Sequence, residues 1–293
     1  MSDQPPKQRA LGASRQDNAR ASAHDAARRL WNNVPVGSLH SQSQPGEAQY
    51  FRELRSYRYG YETPFIPRLF GFQRMAGRKV LEIGVGNGID AVEMARCGAI
   101  YTGVDVTSRH VELTIRNFCL AGLSPARVIC GDLLTTEVGG PFNFVYSFGV
   151  MHHIPAESDY LREACRLLAP QGRLLLGVYS RCSFFNCYLL ATWLAIGRAR
   201  MPLDDWRSHL AELSPVGDPV TIRIRSRRAV ERLLRQCGFK VERYWKRGFV
   251  QRYLPGVGRY LQPDGAVLNA CGMLLGWYHL FECSRSGSVA GRS

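Results

Sequence analysis

Between residues 79 and 179, short apolar runs alternate with segments whose apolar positions recur every three or four residues. Val80–Val85, Tyr101–Val106, Ala126–Cys130, Phe142–Phe148 and Arg173–Val178 predict strands. Ile89–Cys97, Arg109–Leu120 and Tyr160–Leu168 predict helices, closed by Gly98, Gly122 and the stretch "APQG". Strand and helix in alternation, with apolar strands, is the sequence form of an α/β parallel sheet covered by helices on both faces. Ligands of such sheets sit beyond the carboxyl ends of the strands.

The flanks are less regular. Residues 1–24 mix Pro, Gln, Arg, Ser and Ala with scattered Asp, the composition of a disordered tail. "AHDAARRLWNN" predicts a short helix and "VPVGSLHSQSQPG" a loop. Residues 48–74 read as helix, break and helix around Pro64 and Pro67, so residues 25–74 are expected to form an N-terminal helical cap. After Ser180 the alternation stops. Residues 181–219 predict an apolar helix and then a loop containing Pro, Asp and Trp, together an insertion that could act as a lid. A basic amphipathic helix (226–236), a turn at Gly238 and a strand at Lys240–Trp245 follow. A last strand is expected near Trp277–Cys283, residues 249–275 show no decisive pattern, and 286–293 read as a flexible tail. The main domain thus spans 75–285.

At 293 residues and 45% hydrophobic composition the chain can bury a full core. Its most apolar late segments, "CSFFNCYLLATWLAIG" and "AVLNACGMLLGWYHLF", fall short of the roughly 20 residues that span a bilayer and read as buried or surface-docking helices. With Arg198 and Arg200 just beyond the first, a peripheral membrane contact is an expectation. The formal net charge of +14 raises anionic partners in general, including nucleic acid. No aromatic–basic interleaving of the RNA-binding kind accompanies it, which argues against nucleic acid. Nine cysteines are scattered without C-x-x-C pairs or zinc-ligand spacing, so neither a metal nor a disulfide framework is expected. Cys119 and Cys165 read as small buried hydrophobes. The N-terminus has no continuous apolar core of the secretory kind, and a cytoplasmic enzyme is the expectation.

The chemistry is concentrated at "VLEIGVGNGID". Gly84, Gly86 and Gly88 let the backbone turn sharply behind the first strand and approach a ligand, while the amides opening the next helix face it. The dinucleotide pattern G-x-G-x-x-G is not met, because Ile89 stands where its third glycine would be. "YTGVDVT" puts Asp105 at the end of the next strand, where a carboxylate can accept both hydrogen bonds of a ribose diol.

These residues resemble the class I S-adenosylmethionine-dependent methyltransferases, whose first motif is E/D-x-G-x-G-x-G, here Glu82-x-Gly84-x-Gly86-x-Gly88. The resemblance covers roughly Lys79 to Tyr179. It implies a Rossmann-like, seven-stranded, mostly parallel sheet and S-adenosyl-L-methionine as cofactor. It also implies that Asp132, in "CGDLL", takes the adenine amino group while Leu133 covers the ring. "VMHHIP" after the fourth strand is similar to the "V-L-H-H-I" sequences of the ubiquinone/menaquinone-biosynthesis branch, close to the transferring methyl. Imidazole titrates near neutrality and can accept the proton of a phenol, hydroxyl or carbon acid, so His152 or His153 is the candidate base, ahead of any distant carboxylate. An Asn/Asp-Pro-Pro-Tyr motif is missing, against the amino-methylating DNA and glutamine enzymes. Arg58, among Tyr57, Tyr59 and Tyr61, could contact the methionine carboxylate or the substrate. The arginines at 223, 225, 227 and 228 could attract a phosphate or carboxylate.

The resulting expectation is methyl transfer to an oxygen or carbon of a small, partly apolar metabolite. An RNA or protein acceptor, and a non-catalytic S-adenosylmethionine-binding protein, are the rivals.

Overall fold

In the computed structural model, which describes residues 25–215 and 218–287, seven strands form one sheet. They are β1 (Lys79–Ile83), β2 (Ile100–Asp105), β3 (Arg127–Cys130), β4 (Phe142–Phe148), β5 (Leu168–Tyr179), β6 (Phe239–Arg247) and β7 (Tyr278–Arg285). Their spatial order is β3-β2-β1-β4-β5-β7-β6, and only the pairings of β7 are antiparallel. The order reverses between β1 and β4, which opens a crevice at their carboxyl ends. The tails expected from the sequence at 1–24 and 288–293 lie outside the described residues.

Strand periodicity builds a core on each face. Leu81, Ile83, Val145, Leu174, Leu176 and Phe281 point to one side, and Val80, Phe144, Tyr146, Leu175 and Leu280 to the other. Helix α1 (25–33) precedes α2 (Ala48–Tyr57), which widens into a π-type turn at Arg58–Glu62, and the short α3 (Ile66–Leu69). The sheet helices are α4 (Ile89–Arg96), α5 (Ser108–Leu120) and α6 (Glu157–Leu167). The insertion holds α7 (Phe184–Thr192) and α8 (Leu203–Glu212), followed by α9 (Arg227–Gln236) and α10 (Ala266–Leu275).

Several local expectations change. The part of the insertion read as a loop contains α8, whose Asp204 and Asp205 favour the positive end of the helix dipole in its first turn. "APQG" does not close α6 as a separate turn; the chain passes from Leu167 directly into β5. Residues 249–275, undecided from pattern, hold two 3-10 turns and α10. Cys119 is exposed, off the inward stripe of α5, whereas Cys165 is half-buried and packs against the edge of the core. Neither α7 nor α10 carries a charged residue, and each leaves apolar side chains in solvent, including Tyr188, Leu190, Met273 and Leu274. Among the described residues no helix is long and apolar enough to cross a membrane.

Candidate active site

The crevice begins at the glycine turn. Gly84, Gly86 and Gly88 have φ of 81°, 53° and 70°, the left-handed region in which a side chain is strained. Gly84 is also sterically closed: a Cβ there would lie 2.2 Å from Val150 Cγ2. Gly84→Ala is therefore expected to cost about 2 kcal/mol of stability and to displace the turn. Urea unfolding checks the first effect and cofactor titration the second.

Asp105, at the end of β2, borders the cleft and is 7% exposed. Its Oδ1 accepts from the Thr107 amide at 2.9 Å and its Oδ2 from the Gly86 amide at 3.3 Å. His110 Nδ1 lies 3.4 Å from Oδ2, while His110 Nε2 accepts from the Val36 amide at 3.2 Å. Burial opposes the charge on Asp105, but His110 and the Thr107 amide outweigh it and hold the carboxyl below its ordinary pKa. Asp132 follows β3, accepts from the Leu134 amide at 2.9 Å, and stands beside the buried Leu133 in the same cleft wall.

Toward the other end of the turn lies a buried charge network. Arg58 reaches Asp90 Oδ2 at 2.5 Å and Glu62 at 3.0 Å, and its guanidinium lies 4.6 Å from the Phe148 ring. Tyr59 and Tyr146 each donate to Asp90 at 2.6 Å. Arg58 thus reaches the cleft with its charge already matched by two carboxylates. Glu82 borders the adjoining cavity rather than the main cleft, and accepts from the Tyr101 hydroxyl at 2.6 Å. Burial, helped by Asp90, pushes its carboxyl well above the ordinary range.

The two candidate histidines part company. His152 is 1% exposed, its ring packs 3.8 Å from that of Tyr179, and neither ring nitrogen has a hydrogen-bond partner among the described residues. Burial and the neighbouring His153 drive its pKa well below the ordinary value, and it does not form part of the cleft wall. His153 does. Its Nδ1 donates to the Thr221 carbonyl at 2.7 Å, which leaves the lone pair on Nε2, and that atom lies 3.7 Å from Glu212 Oε1. Burial lowers the pKa of His153 to about 4.

Glu212 was not found from the sequence. It ends α8, accepts from the Tyr179 hydroxyl at 2.8 Å, and is pushed up to about 7 by burial. His152, His153 and Glu212 each bring one nitrogen or carboxylate oxygen within 4.8 Å of the others. Trp31 of α1 closes the cleft over this group, its ring 5.0 Å from His153 and 6.5 Å from His110. No motif marks Glu212, Tyr179 or Trp31. Asp90 had a signal, an acid in the first turn after the third glycine. The arginines of 223–227 are engaged internally: Arg223 donates to the Ile154 carbonyl at 2.6 Å, Arg225 pairs with Glu157, and Arg227 with Glu231 at 2.6 Å.

A crevice that starts at a three-glycine turn and runs past a ribose-type acid on an open parallel sheet has counterparts of known structure. Magnesium protoporphyrin IX methyltransferase from Synechocystis PCC 6803, with bound S-adenosylmethionine, superposes with a TM-score of 0.54 over 90% of this chain and 97% of its own, at 14% identity. A protein from Pyrococcus horikoshii OT3 gives 0.54 over 85% and 96%, at 16% identity. That likeness gives the fold, and with the match of residues 50–244 to a methyltransferase domain family the class is that of the class I S-adenosylmethionine-dependent methyltransferases, with S-adenosylmethionine as cofactor. The chain belongs to that family. Among sequence relatives, the ubiquinone biosynthesis O-methyltransferase of Caulobacter sp. (strain K31) is 30% identical over 36% of this chain and 42% of its own length. The mitochondrial one of Schizosaccharomyces pombe is 31% identical over 48% and 47%. The matched stretches span under half the length of these two relatives.

Proposed function

We propose that the protein transfers the methyl group of S-adenosylmethionine to an oxygen or carbon of a small, partly apolar acceptor. Its ubiquinone-biosynthesis relatives support a phenolic or quinol-type compound. The observation that carries the reading is one cleft that joins Gly84, Gly86 and Asp105 to a chamber walled by Phe148, Ile154, Tyr179 and Tyr278 and closed by Trp31.

The residues present fit the cofactor. Gly84 and Gly86 present backbone without side chains to the cleft, and Asp105 retains acceptor capacity for ribose hydroxyls. Asp132 and Leu133 would hold the adenine edge and face, with Glu82 and Arg58 framing the methionine end. When bound, the cofactor supplies a methyl already activated by a sulfonium. The chain's task is then to hold the acceptor oxygen or carbon in line, exclude water and receive a proton.

Against an RNA or protein acceptor stands the pairing of Arg225 with the buried Glu157, which removes one charge from the densest basic stretch. The test is calorimetric titration with S-adenosylmethionine, S-adenosylhomocysteine and NAD, followed by incubation with a panel of catechols and quinols while S-adenosylhomocysteine is measured. Micromolar binding of the two sulfur nucleosides, none of NAD, and turnover on the panel are expected. Turnover confined to RNA or protein, with salt-sensitive binding, would overturn the reading, as would no turnover at all.

A further inference from the structure

The groups of the cleft wall that could take a proton differ in what already holds them. Glu62 pairs with Arg58 at 3.0 Å. Asp105 is bound by the Thr107 and Gly86 amides and faces His110, which is itself fixed by the Val36 amide. Asp132 accepts from the Leu134 amide at 2.9 Å. Glu212 differs from these: its side chain is 9% exposed, it reaches the cleft, and its neighbours are the Tyr179 hydroxyl and the His153 ring rather than an arginine or lysine.

Its placement is also constrained. Leu213, the residue after it, has φ 58°, the one non-glycine residue in the left-handed region among those described. Helices commonly end on a left-handed residue, a place glycine usually fills. Here Leu213 ends α8 at the point where Glu212 enters the cleft.

We propose that Glu212, carried in by the inserted segment and held by the Tyr179 hydroxyl that donates to it at 2.8 Å, is the catalytic base that takes the proton of an acceptor hydroxyl. The assignment rests on the methyl-transfer reading above and narrows the acceptor to one with a weakly acidic hydroxyl. In the step, the acceptor oxygen forms its bond to the methyl carbon as the S–CH3 bond breaks. The bonding pair stays on sulfur, which passes from sulfonium to neutral thioether, and the hydroxyl proton moves to the Glu212 carboxylate. His153 is poorly suited to that task because its Nδ1 is committed to Thr221 and burial disfavours its cation. A carboxyl near 7 matches a general base working at neutral pH. The titratable groups facing Glu212 are Tyr179 of β5, Tyr278 of β7, His152 and His153 after β4, and Glu62 with its partner Arg58 after α2.

The experiment compares wild type with Glu212→Gln, which keeps the shape and removes the charge. One readout needs no acceptor. An ionised Glu212 favours the cationic S-adenosylmethionine over S-adenosylhomocysteine, so their affinity ratio should rise with pH through about 7 in wild type and stay flat in the variant. The second is methylation of catechol: kcat should fall about 100-fold while cofactor affinity stays within about threefold. A variant with wild-type kcat, or a wild-type affinity ratio that does not move with pH, would overturn the assignment while leaving the methyltransferase reading intact. Recovery of a tightly bound divalent cation whose chelation abolishes turnover would overturn it as well. Wild-type silence on every phenol, with cofactor binding intact, would fail the acceptor reading first and this assignment with it.

Discussion

Asp105→Ala is expected to weaken S-adenosylmethionine binding about 100-fold, the loss of about 2.7 kcal/mol of charge-assisted hydrogen bonding to a ribose diol. The physical case is preorganisation. The carboxylate is buried and kept ionised by His110 and the Thr107 amide, so it meets a ligand without further desolvation or rotamer ordering. The same substitution frees the Thr107 amide and the His110 ring, and should lower folding stability by only about 1 kcal/mol. Calorimetric titration beside urea unfolding separates the two effects. Binding retained within about threefold would mean that the ribose is held elsewhere.

Removing Asp90 should act mainly on stability, by about 3 kcal/mol for Asp90→Ala. Asp90 is 6% exposed, and the substitution withdraws the closest partner of a largely buried Arg58 together with the acceptor of two buried tyrosine hydroxyls. Glu62 still pairs with Arg58, which keeps the loss at the lower end for a broken buried pair. The sign of the pH dependence follows from the direction of the shift. Burial raises the Asp90 pKa, but Arg58 and the hydrogen bonds outweigh it, and the folded value lies below the ordinary carboxylate value. The stabilisation is therefore complete above that ordinary value and is lost as pH falls through the depressed one. Urea midpoints measured down the acid limb should fall less steeply in Asp90→Asn than in wild type. Parallel acid limbs would contradict the Arg58–Asp90 account.

The fold was legible where the signal is local. β4 was predicted over the residues it occupies, Phe142–Phe148, because alternate side chains on this strand feed the two faces of a covered sheet. The glycine turn was equally readable, since three positive φ angles at alternate positions leave few residues but glycine. α8 was missed because Pro202, Asp204, Asp205 and Trp206 carry loop-like composition although two of them suit a helix start. The apolar stretch 266–281 was read as a buried or surface-docking helix and its first ten residues form α10, but with apolar side chains on the exposed face as well no stripe fixed where the helix ends.

Sequence by itself determined the alternation of strands and helices, the three-glycine turn, and the spacing of Glu82, Asp105 and Asp132 along successive strand ends. Each is written in short-range periodicity or in the backbone freedom of single residues. Tertiary structure alone decided that His153 borders the cleft while His152 packs against Tyr179, that Arg58 is matched by Asp90 and Glu62, and that Glu212 arrives beside His153. Those outcomes depend on how segments far apart in the chain pack together. Burial and partnership, which decide the ionisation of a side chain, exist only after that packing.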